Sequence, residues 1–150
     1  MAISRGAGTE IIRSIYLKGV DSTVSNLIVG VQHHIYTVLS LVVFADVLDA
    51  ATDAFIVRLT GYDSKAGTTD SQMRILETII PVNTTFVWND KFSFNGAEPA
   101  NFTGPMNDAT KQDAIADQGS APVSQFLQCL SGHADDVFTV VCTYIDQNNA

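Results

Sequence analysis

Cysteine, proline and positive charge are all scarce in this chain. Of 150 residues, 2 are cysteine, 4 are proline and 8 are lysine or arginine. Cys129 and Cys142 allow a single disulfide at most, so no disulfide framework organises the fold. Both lie in apolar, strand-like text where a free thiol behaves as a small hydrophobe, and a reduced pair is expected. Against so few cations stand 16 Asp and Glu, and the net charge of -8 argues against binding nucleic acid or an anionic membrane. No apolar run is long enough to cross a bilayer as a helix. The opening Met-Ala-Ile-Ser-Arg-Gly-Ala-Gly lacks an apolar segment after its charge, so neither a signal peptide nor an anchor is expected.

Catalytic and cofactor signatures are missing too. None of the glycines around Gly6, Gly61, Gly67 or Gly104 is followed by Gly-Lys-Ser/Thr, and no serine stands in Gly-x-Ser-x-Gly. No cofactor is expected. Asn83-Thr84-Thr85 and Asn101-Phe102-Thr103 match the glycosylation pattern by text alone and carry no functional claim.

What the chain does contain is β-branched and aromatic text. Hydrophobic residues make up 46% and charged residues only 16%, a balance that leaves too little polar surface for a self-sufficient monomer and points to assembly. From Ile35 to Phe44 there is no charge and no glycine, and Val137 to Ile145 leaves almost no polar face. Such runs read as central strands buried on one side and touched on the other.

Period-two alternation organises the rest. Phe55, Val57 and Leu59 are expected to face inward and Ile56, Arg58 and Thr60 outward; Ile11, Arg13, Ile15 and Leu17 share one side of another strand. Further strands are expected over 24–31, 73–80, 85–88, 91–94 and 126–130, with a long hydrophilic loop over 62–71. No helices alternate with them. The reading is therefore an all-β fold, an antiparallel, jelly-roll-like β-sandwich. Residues 1–10 form an arm, and 11–150 form one domain with a loop insertion at about 96–124, inside which Asp108 caps a short helix. Charge is uneven: Arg5, Arg13 and Lys18 lie near the start and a run of acids near the end, so head and tail should attract, within a protomer or between neighbours.

Each chemical constellation has a plainer reading beside it. Adjacent strand residues His33 and His34 point to opposite faces and make a poor metal pair. Asp46, Asp49 and Asp53, with Asp135 and Asp136 at the same end, offer calcium-type oxygen ligands, yet they match no complete loop motif and read better as solvated turn residues. No metal site is expected. Cys142 with His133 is a weak nucleophile pair, since a strand cysteine is usually buried.

The segment order resembles that of small β-sandwich virion proteins of tailed phages, in particular capsid cement or decoration proteins. The text that carries the likeness is Ile35-Tyr36-Thr37-Val38, Leu39 to Phe44, Phe55 to Thr60, Ile79-Ile80-Pro81-Val82-Asn83-Thr84-Thr85, Asn89-Asp90-Lys91-Phe92 and Val137 to Ile145. Leu39 and Ser40 replace a Pro-Ala-Gly turn common in that group. The resemblance implies a homotrimer on the outer capsid surface, bound to the major capsid protein, with no chemistry of its own. Arg5 and Arg13 would then be capsid contacts, and Tyr16 and Trp88 interface residues. The alternative is a phage tail accessory or a receptor- or carbohydrate-binding module, in which Trp88 and Asp90 would be the pair to test.

Overall fold

The computed structural model describes residues 9–31, 34–63, 67–97 and 123–148. Its strands follow in chain order as β1 (Glu10–Val20), β2 (Ser25–Val29), β3 (His34–Val47), β4 (Ala54–Asp63), β5 (Thr68–Ile79), β6 (Thr85–Trp88), β7 (Phe92–Asn95), β8 (Phe126–Ser131) and β9 (Val137–Asn148). Among the described residues there is no helix. The first sheet runs β1-β9-β3-β6, with β7 continuing along the same edge of β3; the second runs β2-β8-β4-β5. All these pairings are antiparallel. The connections β1 to β2, β3 to β4, β5 to β6 and β8 to β9 each cross from one sheet to the other, so their loops gather at one end. The all-β, antiparallel sandwich is as expected, and its strand order is that of a jelly roll.

The uncharged run found in the sequence forms most of β3, which like β9 has neighbours on both sides in the first sheet. Its inward set, Tyr36, Val38, Leu41, Val43 and Ala45, is buried together with Phe138, Val140 and Cys142 of β9. Facing them from the second sheet are Phe55 and Val57 of β4, Leu127 and Cys129 of β8, and Leu27 and Ile28 of β2. Phe55 meets Phe138 across the sandwich with ring centroids 5.1 Å apart. On β2 two successive residues are buried because the register with β8 slips between Asn26 and Ile28, which turns both inward.

Local chemistry explains the ends. Pro81 stops β5, having no backbone donor, and the chain reverses through Val82 and Asn83, whose φ of 61° suits an asparagine. Thr84 N donates to Pro81 O at 3.1 Å to close that turn, and Asn83 N donates to Ala45 O at 2.8 Å to tie it to β3. β5 itself begins at Thr68, five residues before the expected start at Met73. Its first half is polar because it is an exposed edge strand paired only with β4, so the expected 62–71 loop is largely ladder.

At the opposite end main chain of the two sheets meets, with the Gln125 side chain donating to Asn95 O at 2.8 Å and Val31 N donating to the Tyr36 hydroxyl at 3.0 Å. Gly30 N donates to Gln125 O, Gln125 N to Gly96 O and Gly96 N to His34 O, each at 2.8 Å. A Cβ on Gly30 would lie 1.7 Å from Gly96 O, and one on Gly96 would lie 2.2 Å from Val31 O, so both positions require glycine. An Ala97–Ser124 bridge extends this knot at the root of the insertion. The helix expected over 108–116 and the residues 98–122 of the insertion lie outside the described residues, as do residues 1–8 of the arm.

Candidate functional site

Titratable groups gather in two places. At the loop end, His133 Nδ1 lies 3.6 Å from Asp49 Oδ2 and 3.8 Å from Asp135 Oδ2, all three residues being exposed. The same nitrogen accepts a hydrogen bond from Asp135 N at 3.2 Å. The other acids of this end are occupied in holding loops. Asp46 accepts from Thr139 Oγ1, Asp53 from Ala50 N, and the buried Asp136 from both Asp49 N and His133 N. The five acids considered together from the sequence therefore do not converge on one point. At the opposite end Asp146 accepts from Arg13 Nε at 3.0 Å and is hydrogen-bonded to His34 Nδ1 at 2.6 Å. Arg13 on β1 with Asp146 on β9 is the attraction between head and tail that the charge distribution implied, made within one protomer.

The two cysteines remain separate free thiols, both buried. Burial pushes each thiol up to about 12, and the neighbouring Cys142 adds to the effect at Cys129. Cys142 is thus no nucleophile, and His133 belongs to the loop cluster.

The broadest feature is the contrast between the two outer faces. On the second sheet, the outward positions carry a polar network: Arg58 Nε and Thr60 Oγ1 donate to Gln128 Oε1, Gln128 Nε2 donates to Asn26 Oδ1, and Arg74 pairs with Glu77. On the first sheet the register aligns uncharged residues in rows that cross three or four strands. One row is Tyr16, Val141, Val42 and Val87. The next toward the loop end is Thr139, Phe44 and Thr85; in the other direction come Ser14, Thr143 and Ser40, and then Ile12, Ile145, Thr37 and Ser93. None of these positions bears a charge. Glu10 borders them at one end, and Lys18 and Asp46 at the other.

Tyr16 is 69% exposed, Ile12 69% and Val87 58%, so the apolar surface is open. Several hydroxyls among the rows are already paired: Ser14 with Thr143 at 3.1 Å, Thr37 with Ser93 at 2.9 Å, and Thr139 with the Asp46 carboxylate at 2.7 Å. Covering this face would therefore strand few polar groups, which is the chief cost of burying a surface. A depression of about 570 Å³ lined by Val47, Leu48, Ala51, Pro81 and Val82 lies just beyond the Asp46 margin.

Tyr16, expected at an interface, stands on this face. Trp88 is paired with the fully buried Leu41 and turns to the other side of its strand, packed against the core with its ring 5.6 Å from that of Phe92. Its ring is thus not presented beside Asp90 as a sugar platform. Arg13 is held by Asp146, and Arg5 lies outside the described residues. Sequence reading found the surplus of apolar strand text but missed the row itself, because Tyr16, Val42, Val87 and Val141 are brought into line only by pairing between distant strands. It likewise placed Asp49 and Asp135 at one end without adding His133.

No protein-family model matches the chain, and no curated protein matches it. Among solved structures, a chain of Bacillus endospore appendages, described as a novel family of disulfide-linked pili, aligns over 100% of this chain and 97% of its own length, at 10% identity and a TM-score of 0.43. At that distance no function passes from one chain to the other. The finding corrects the expected resemblance to phage capsid decoration proteins, since the likeness is to a bacterial appendage and not to a virion protein. With it go the cement function, the homotrimer on a capsid, the major capsid protein as partner and the outer-capsid location. The physical reason is plain: the segment order that carried the resemblance belongs to jelly rolls in general and reports the fold, not the family.

Proposed function

We propose that this chain is a structural module that acts by docking another protein surface on the outer face of its first sheet. The observation that carries the reading is the open row Tyr16, Val141, Val42 and Val87, set among hydroxyls of which several are already paired, while the opposite outer face carries the network of Arg58, Thr60, Gln128 and Asn26 beside Ile56 and Leu130. Patches of this kind on soluble domains mark interaction surfaces. The free edges are less suited to the task. β5 carries Asp70, Arg74 and Glu77 and slips register between Val57 and Arg58, while the opposite edge of the first sheet is interrupted between β6 and β7.

Hydrophobic interaction chromatography tests the reading. Val87→Lys should elute much earlier than the parent, whereas Thr60→Lys on the second sheet should shift little, with melting temperatures unchanged. Equal shifts for the two variants would refute a special role for the first face.

A further inference from the structure

We infer that the occupant of this face is a second copy of the same chain, related by a two-fold axis that runs parallel to the strands between β9 and β3. The inference rests on the docking reading above. Such an axis exchanges the two margins of the sheet, so Tyr16 of each copy lies over Val87 of the other and Val141 over Val42. The row then complements itself, its largest side chain meeting a small one at either end and two valines meeting in the middle. The next row places the bulky Phe44 over Thr139 of the second copy in the same way.

Charge selects a self-partner that approaches in this manner. A chain of net charge -8 repels its own copies over most of its surface. The rows on the first sheet are the broad region where that repulsion is absent. At their upper margin, the two-fold offsets Lys18 of one copy by one strand from Asp46 of the second copy across the gap, a separation that two side chains can close, so opposite signs meet at the rim.

Area is sufficient for a specific but modest contact. Four adjacent strands span about 19 Å and four outward rows about 27 Å, or roughly 500 Å² in projection from each copy. The total of about 1,000 Å² lies at the lower bound for specific association, and affinity in the micromolar range is expected.

The test combines native mass spectrometry with directed cross-linking on the full chain. The parent should show dimer at tens of micromolar, and Val87→Lys should raise the dissociation constant at least tenfold. The double variant Tyr16→Cys with Val87→Cys should form a covalent dimer with a bifunctional thiol reagent of about 10 Å span, because each new thiol faces its complement across the gap between two packed sheets. Neither single variant should cross-link, because like positions lie at opposite margins, about 14 Å apart over three strand spacings as well as across the gap, and beyond the span of the reagent. The native thiols are buried and do not interfere. Cross-linking by a single variant would overturn this axis, and a dimer indifferent to Val87→Lys would overturn the face. A parent that stays monomeric at several hundred micromolar, yet keeps the chromatographic difference between Val87→Lys and Thr60→Lys, would remove the second copy as occupant and leave the docking reading standing. A monomer without that difference would end both.

Discussion

Alkaline pH should loosen this sandwich through its two buried thiols, and the size of the effect follows from where they sit. Cys129 on β8 and Cys142 on β9 are both 0% exposed, one in each sheet, and their thiols are pushed from 9.0 to about 12. Below pH 9 both the folded and the unfolded chain hold these protons, so the thiols give no pH dependence. Between about 9 and 12 the unfolded chain loses them while the folded chain does not, and stability falls by about 1.4 kcal/mol per pH unit for each thiol. At pH 11 the pair should have removed about 5 kcal/mol, comparable with the whole net stability of many domains. Tyr144 acts in the same direction, since burial raises its pKa against the opposing pull of Arg13. Guanidinium titrations at pH 8, 10 and 11 in the presence of reductant would measure the slope. Cys129→Ala with Cys142→Ala should flatten most of it, leaving a residue from Tyr144, even though the double variant starts lower at pH 8 because of the cavities it creates. Identical slopes in parent and double variant would refute the account.

Two further perturbations probe the frame. Gly96→Ala or Gly30→Ala drives a Cβ into main-chain atoms and breaks hydrogen bonds that join the sheets, so a loss of about 4 kcal/mol or more is expected; Gly67→Ala, where nothing lies within 4 Å and only the φ of 79° is at issue, should cost about 1 kcal/mol, both read by chemical denaturation. Asp146→Ala removes a buried acceptor that serves His34 and Arg13, and should lower stability by about 3 kcal/mol in thermal melts at neutral pH, less if water replaces the carboxylate.

How much of this was legible depends on whether the deciding interaction was local. Phe55, Val57 and Leu59 announce their inward face because alternation is a property of neighbouring residues, and Phe92 with Phe94 does the same on β7. The polar opening of β5, Thr68 to Gln72, carries no such signal; pairing with β4 alone makes it a strand. Slips in register on either side of Leu39 and of Asp46 shift β3 against β9 without any distinctive text. The candidate site was half visible. Apolar residues in both alternating sets of β3 and β9 marked a surface in need of cover, but which residues stand side by side on it depends on ladders between strands far apart in sequence.

The meeting of β1 with the end of β9 has a practical consequence. Asn148 N donates to Thr9 O at 2.9 Å, so the described backbone very nearly closes into a ring. A short linker there, with new termini cut at the exposed break between Trp88 and Phe92, would yield a circular permutant with both sheets whole. The same closeness lets the unit be spliced into a surface loop of a host protein without stretching either, which makes it a portable scaffold whose uncharged face can be aimed at will.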